Sequence, residues 1–525
     1  MKSCDAKFSR SSCSGPTSCL GKFVTLIAIF FVVAGVAQGS TIVVESGYDI
    51  QSSIDQASPG DTVAVGYGQI SPFTVDRPIR VIGHATMIKA DLQKPAVTIR
   101  SNDAVVDGFI ITGVPKDQNA KFEYYMENYL PQPGKKRTEF VPSGERGAVA
   151  LQLNLPNAAI LIQGDNCSIL NTTVQEAQVG ILSEGCKDAS LRDLTIQGCD
   201  LGVQLKGCNG FLIESCKFIS NVKAGLMAES SHDGRVTGCK AEETTHAGMM
   251  FRNSTNWTVL NNTFDKNAYG LALWNASLVK ANGNLARSNY YGFLISQSSN
   301  NTIVHNMAVS NARSELVARF GVGISLQENS SDNMIAGNTI DDSFNGLEII
   351  RGCERNVACS NNITRCQRGV RITENANNLL YKNNIFNNLI TVNDNTTDNV
   401  WNGSVGNYYS DYKGEDGDLD GIGDEPYKIP MGGAGVTDYR PLVSPWVKGF
   451  SLQEMAQEIA IFKKPAQLSS LPLLSKIADQ PAFADENETQ EKEVFQIRRD
   501  IPPNPPKFRE TEPMELERPP FTADI

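Results

Sequence analysis

The chain has 525 residues, 41% of them hydrophobic and 20% charged, with 44 Gly, 12 Cys, only 4 His and a formal net charge of −11. That apolar content supports a large core and excludes wholesale disorder, while the acidic balance argues against a nucleic-acid partner, whose phosphates call for a basic face. Four histidines leave little room for a multi-histidine metal enzyme.

At the start of the chain, Lys2, Lys7, Arg10 and Lys22 precede an apolar run over 23–37, followed by Gln38-Gly39-Ser40. A basic start, about 15 apolar residues and small residues at their end read as a secretory signal over 1–39. Export to the periplasm, the cell surface or the medium is the expectation, with membrane contact only through this segment if it stays uncleaved. Residues 49–57 follow as a short amphipathic helix able to cover the first coil of a repeat array. Strands are expected at 62–65, 79–82, 96–99 and 105–111. The pattern breaks over 115–145, where Tyr124, Tyr125, Tyr129 and Lys135-Lys136-Arg137 sit in an insertion large enough for a functional loop.

From residue 180 one motif recurs: glycine, an apolar residue, any residue, and usually another apolar one. Its glycines are Gly180, Gly202, Gly225, Gly248, Gly270, Gly292, Gly323, Gly346 and Gly369, spaced 22, 23, 23, 22, 22, 31, 23 and 23 apart. The long interval holds a second insertion at 311–320. Leucine-rich repeats share this period but need a leucine framework that is absent, and helical repeats need helical spacing, whereas the apolar residues here alternate with period two. The pattern predicts an all-β, right-handed parallel β-helix over 40–405, each coil supplying about three short strands.

Asparagines repeat on the same period. Asn262, Asn284 and Asn306 are 22 apart, Asn338, Asn361 and Asn384 follow at 23, and a second column holds Asn267, Asn289 and Asn311, with Cys366 at the same place. Such residues suit left-handed bends and amide stacking between coils. Cys186 with Cys208, Cys216 with Cys239, and Cys199 with Cys366 also share coil positions. Coils stack about 4.8 Å apart while disulfide-bonded Cβ atoms want about 3.8 Å, which favours buried thiol columns over vertical disulfides.

After the coils, 406–446 reads as a C-terminal cap. Within it Asp416, Asp418 and Asp420 alternate before Gly421, with Asp424 later, like the first half of an EF-hand loop; Tyr427 stands where the twelfth-position Glu would be. A shorter, structural Ca²⁺ loop is the expectation. Residues 451–462 suit a short amphipathic helix, and 447–525 as a whole reads as a charged, Pro-rich and mostly disordered tail. Twelve Asn-x-Ser/Thr triplets occur, which an exported chain could glycosylate and an Asn-rich repeat also generates by chance.

The signal, the opening Ala57-Ser58-Pro59-Gly60-Asp61-Thr62, the coils, and the endings Gly406-Asn407-Tyr408-Tyr409-Ser410-Asp411-Tyr412 and Thr437-Asp438-Tyr439-Arg440-Pro441-Leu442 together resemble the NosD-like exported β-helix proteins over 41–443. Their namesake is a periplasmic accessory protein for copper-site assembly in nitrous oxide reductase, and the ending is similar to that of NosD-like archaeal surface proteins. The broader class includes carbohydrate-binding and sugar-hydrolase β-helices, so the resemblance implies fold more firmly than activity.

By strand alternation, residues two and four beyond each glycine project outward from one sheet. Glu184, Lys206, Glu229 and Arg252 alternate in sign there, as a charge ladder would. Glu184, Glu229 and Arg252 are also the candidates for polysaccharide cleavage, but the two acids lie two coils, roughly 10 Å, apart with Lys206 between them. The galacturonase motifs are absent, and Asp341-Asp342 and Ser231-His232-Asp233 are poor substitutes. Tyr269, Tyr291, Trp274 and Met250 are the candidate ligand-binding residues, because rings with polar edges suit sugar faces. Copper is disfavoured: His246, Met249 and Met250 form the one local grouping of soft ligands. The sequence reading is therefore a non-catalytic surface or periplasmic β-helix protein that presents a long face to a glycan or a cell-surface protein. A lyase, hydrolase or epimerase is the alternative, and copper-site accessory work the third.

Overall fold

The computed structural model describes residues 39–44, 49–89, 95–112, 158–311, 321–374, 377–433, 435–451, 453 and 456–459. The expected signal, the 115–145 insertion, residues 312–320 of the second insertion and the tail from 460 lie outside the described residues. Among those described, no helix is long and apolar enough to cross a membrane.

The chain winds as a parallel β-helix. One wall is a 14-stranded parallel sheet, here the broad sheet, whose regular members are six-residue strands from Val179–Glu184 to Arg368–Thr373. The other two walls are stacks of three-residue strands, such as Ser190–Arg192 and Thr195–Gln197 in one coil. The regular coils pair with one another in register: Ile181 lies beside Val203, Val203 beside Leu226, and Leu226 beside Met249.

The motif glycines stand second in these broad strands, where nothing larger fits. A Cβ on Gly270 would stand 2.5 Å from the carbonyl oxygen of Gly292 in the next coil, and one on Gly225 would stand 2.6 Å from that of Gly248. The first and third residues beyond each glycine face inward. Met249, Leu271 and Phe293, with Phe251, Leu273 and Ile295, therefore belong to one continuous core. Each such buried side chain contributes about 1.5–3 kcal/mol.

The corners are held by amide ladders. Asn262 Nδ2 donates to Asn284 Oδ1 at 3.0 Å, and the chain of contacts continues through Asn306, Asn338, Asn361, Asn383 and Asn407. The sequence expectation that Asn384 continues this column is corrected: the coil after Asn361 is 22 residues, so Asn383 takes the place. Asn384 instead bonds Asn362 and the backbone of Trp446. The Asn267, Asn289 and Asn311 column is present. A third ladder, not anticipated, runs through Asn301, Asn333, Asn356, Asn378 and Asn399.

Left-handed bends also explain the frequent Asn-x-Ser/Thr triplets. Asn166, Asn171, Asn253, Asn256, Asn261, Asn275, Asn300 and Asn329 each begin one, and each has positive φ, a conformation Asn tolerates better than most residues. All cysteines among the described residues are free and buried. Burial pushes the thiols of Cys353, Cys359 and Cys366 up to about 12, so they behave as small apolar residues.

Both ends of the described core are covered. The helix Ile50–Gln56 is N-capped by Asp49 and buries Ile50 and Ile54, while Arg77 donates to the carbonyls of Asp55 and Ala57 at its C-terminal end. At the other end Tyr409 stacks on Tyr427 at 3.9 Å, above the last rung of the first amide ladder. The chain then returns along the outside of a narrow wall: Ser360 bonds Gly449, Phe450 stacks on His305, and Glu458 accepts from the backbone N–H of Ser404.

Candidate functional site

The outward side of the broad sheet divides into three stretches. The first is the charge ladder. Lys206 Nζ lies 2.9 Å from Glu184, and Arg252 lies 3.7 Å from Glu229, so the three candidate catalytic residues stand in cross-strand ion pairs. Beside it runs an apolar strip. Leu182, Leu201, Ala224, Ala247, Met250 and Ala272 pack into one cluster although alternation points them away from the core. Most of the outward column two beyond the glycines is thus buried: direction was legible from period two, accessibility was not.

The second stretch is aromatic. Tyr269 and Tyr291 are register partners with ring centroids 5.5 Å apart and nearly parallel planes. Trp274 meets Tyr269 edge-on at 5.5 Å, His246 stacks on Trp274 at 5.8 Å, and Tyr290 meets Tyr291 edge-on at 4.8 Å. Three of the four expected ligand-binding residues therefore come together, half-buried; the fourth, Met250, is packed beside them at 4% exposure. Burial raises the Tyr269 phenol to about 12 and the Tyr291 phenol further, and drives His246 down to about 4. These groups are neutral across the physiological range. The two methionines of the His246 grouping split: Met249 joins the core, whereas Met250 joins the outward cluster.

The third stretch is polar, and sequence reading gave it no role. Tyr291 hydrogen-bonds Gln327, Gln327 Nε2 donates to Ser325 Oγ at 2.9 Å, and Ser325 donates to Glu348 Oε2 at 3.0 Å. The other oxygen of Glu348 accepts from Asn345 at 2.8 Å and from Arg371 at 2.6 Å. A carboxylate only 3% exposed on the outer side of a solenoid wall stands apart from the solvated acids of the ladder. The only signal in the sequence was an acid and an arginine, Glu348 and Arg371, in adjacent coils of one column.

A separate site lies in the C-terminal cap. One carboxylate oxygen from each of Asp416, Asp418 and Asp420 lies within 4.8 Å of the others. The loop is held by its own backbone, with Asp416 accepting from the N–H groups of Asp420 and Gly421. Asp424 stands outside this trio and accepts from the N–H of Gly417 at 2.8 Å. Tyr427, at the twelfth position, donates to Asp411 instead. Three hard oxygen donors on a tight turn could hold a metal ion.

The family described as "Periplasmic copper-binding protein (NosD)" matches residues 143–318 and 243–414, which together span more than half of the chain. No curated protein matches it. Among solved structures, the chain is similar to the A-module of the Azotobacter vinelandii mannuronan C-5 epimerase AlgE6 (12% identity, 69% of this chain and 95% of that one, TM-score 0.47). It is also similar to the Streptococcus pneumoniae surface adhesin PfbA (14%, 63% and 89%, TM-score 0.45) and to the Dettilon tailspike protein (14%, 65% and 67%, TM-score 0.44). Likeness at this level carries no argument about activity.

Proposed function

The chain belongs to the NosD family, and on that footing we propose that it acts as an exported, non-catalytic β-helix protein that binds a glycan along the outward side of its broad sheet. The observation that carries this reading is the continuity of the half-buried rings Tyr269, Trp274 and Tyr291 with the polar network from Gln327 to Arg371. Apolar ring surface beside fixed donors and acceptors is the combination that sugars require. The reading as a binder rather than a hydrolase rests on the acids of this side. Glu184, Glu229 and Glu348 are each ion-paired with a cation, whereas glycoside cleavage needs one carboxyl group that carries a proton. The copper reading is weakened by the division of Met249 and Met250 between two sides of one strand. In the same proposal the Asp416, Asp418 and Asp420 loop holds a structural Ca²⁺ ion that steadies the cap.

The test is binding of the full chain to a glycan array, with the products assayed on the same glycans. Retention without new reducing ends or unsaturated uronates, weakened by Trp274→Ala and Tyr291→Ala, supports the reading. Product release would install the enzymatic alternative. Copper retained through gel filtration and lost in His246→Ala would install the accessory one.

A further inference from the structure

We infer that Arg368 is the anion-reading end of this strip, and that the ligand is an acidic polysaccharide lying along the solenoid axis. This rests on the glycan-binding reading above and goes beyond it in naming the chemical class of the glycan.

The other cations outward on the broad sheet are compensated: Lys206 by Glu184, Arg252 by Glu229 and Arg371 by Glu348. Arg368 is different. Among the described residues no carboxylate forms an ion pair with it, its guanidinium lies 4.9 Å from the centre of the Phe344 ring, and its Nε–H is buried with no acceptor. Among the described residues its guanidinium makes one hydrogen bond, a long one, from a terminal nitrogen to Asn345 Oδ1 at 3.4 Å. The nearby acid cannot serve it, because both oxygens of Glu348 are already occupied by Arg371, Asn345 and Ser325. Asn345 thus stands as a spacer, its amide nitrogen on Glu348 and its oxygen toward Arg368.

A guanidinium with an unmet buried donor is costly, and its planar fork matches a carboxylate or sulfate in two parallel hydrogen bonds. The ring of Phe344 holds the cation in place by cation–π attraction. Position supplies the size of the ligand. Tyr269, Tyr291, Val322, Asn345 and Arg368 are successive register partners in one column, so Arg368 stands three coils, roughly 14 Å, beyond Tyr291 at the usual strand spacing. A single sugar does not span that distance; an extended polymer does.

The experiment measures binding of the full chain to polygalacturonate, its methyl ester, dextran sulfate and unmodified dextran. The expected result is preference for polygalacturonate over its ester, with Arg368→Gln weakening it roughly tenfold or more and Arg368→Lys by less. Melting curves of both variants check the fold, and the lysine variant carries the test if the glutamine variant unfolds. Dextran sulfate binding that falls in parallel shows that the subsite reads anions in general, and no sulfate binding shows that it reads carboxylate; both support the proposal. Equal binding of ester and acid, or unchanged affinity in Arg368→Gln and Arg368→Lys, overturns it and leaves glycan binding standing. Failure of the wild-type chain to bind any of the four polymers or any array glycan removes the glycan-binding reading itself.

Discussion

The Asn361 side-chain amide donates to Asn383 at 2.9 Å, and its neighbour Asn384 takes no part in that ladder. Two adjacent asparagines thus do different work. Asn383 satisfies the N–H and amide of Asn361, the carbonyl of Ala358 and the amide oxygen of Asn407, all buried. Asn383→Ala should therefore lower stability by about 3 kcal/mol, since several buried groups lose their partners at once. Asn384→Ala should cost about 1 kcal/mol and act locally, freeing the backbone of Trp446. Thermal melts separate the two, and limited proteolysis near residue 446 should report only the second.

The glycine column makes a steric prediction. Gly270→Ala forces a Cβ against the backbone oxygen of Gly292, an atom that moves only with its strand, and should cost about 3 kcal/mol. Gly66→Ala, where nothing lies within 4 Å, is the control and should melt like the parent.

His246 should impose an acid limit. Its burial lowers the folded-state value to about 4, against about 6.5 for the free side chain. The associated stability is complete above pH 6.5 and is lost as pH falls toward 4, to a total of about 3 kcal/mol. His246→Phe keeps a ring beside Trp274 and should flatten this part of the stability–pH curve, measured by chemical denaturation.

Asp438 should act in the opposite sense. Burial raises it to about 6 despite hydrogen bonds from Asn407, Arg440 and Tyr409. Its folded state favours the protonated form, so its contribution is complete below about pH 4 and is lost as pH rises through 6, by up to about 3 kcal/mol. Asp438→Asn should remove that slope, although the amide serves the same donors less well and the variant should be less stable throughout.

If the acidic loop holds Ca²⁺, chelation should lower the melting temperature of the parent. A site saturated 100-fold over its Kd contributes about 2.7 kcal/mol. Asp418→Asn should be insensitive to chelator. An unshifted melt for the parent would remove the ion from the cap.

The coils, their period and the capping helix were legible because each rests on a local requirement repeated many times. Glycine stands where no Cβ fits, asparagine where its amide meets the next rung, just after a left-handed bend carried by the residue before it, and Ile50 and Ile54 share one side of a helix turn. What was illegible depended on counting or on contact. The Asn361 rung was misassigned because two asparagines sit side by side, and the Asn301 ladder was hidden by a first step of 32 residues. The Glu348 network joins six residues from four coils, at positions where most coils carry unrelated side chains. Alternation gave the direction of Leu182 and Met250 but could not tell that they are packed away from solvent.

The amide contact from Asn306 to Asn338, 3.1 Å long, bridges an interval of 32 residues with the same geometry as those of 22 or 23. Stacking is therefore indifferent to how much chain is threaded between two rungs at this corner. The place after Asn311 is a natural grafting point: foreign loops spliced there can vary in length while the scaffold above and below keeps its alignment.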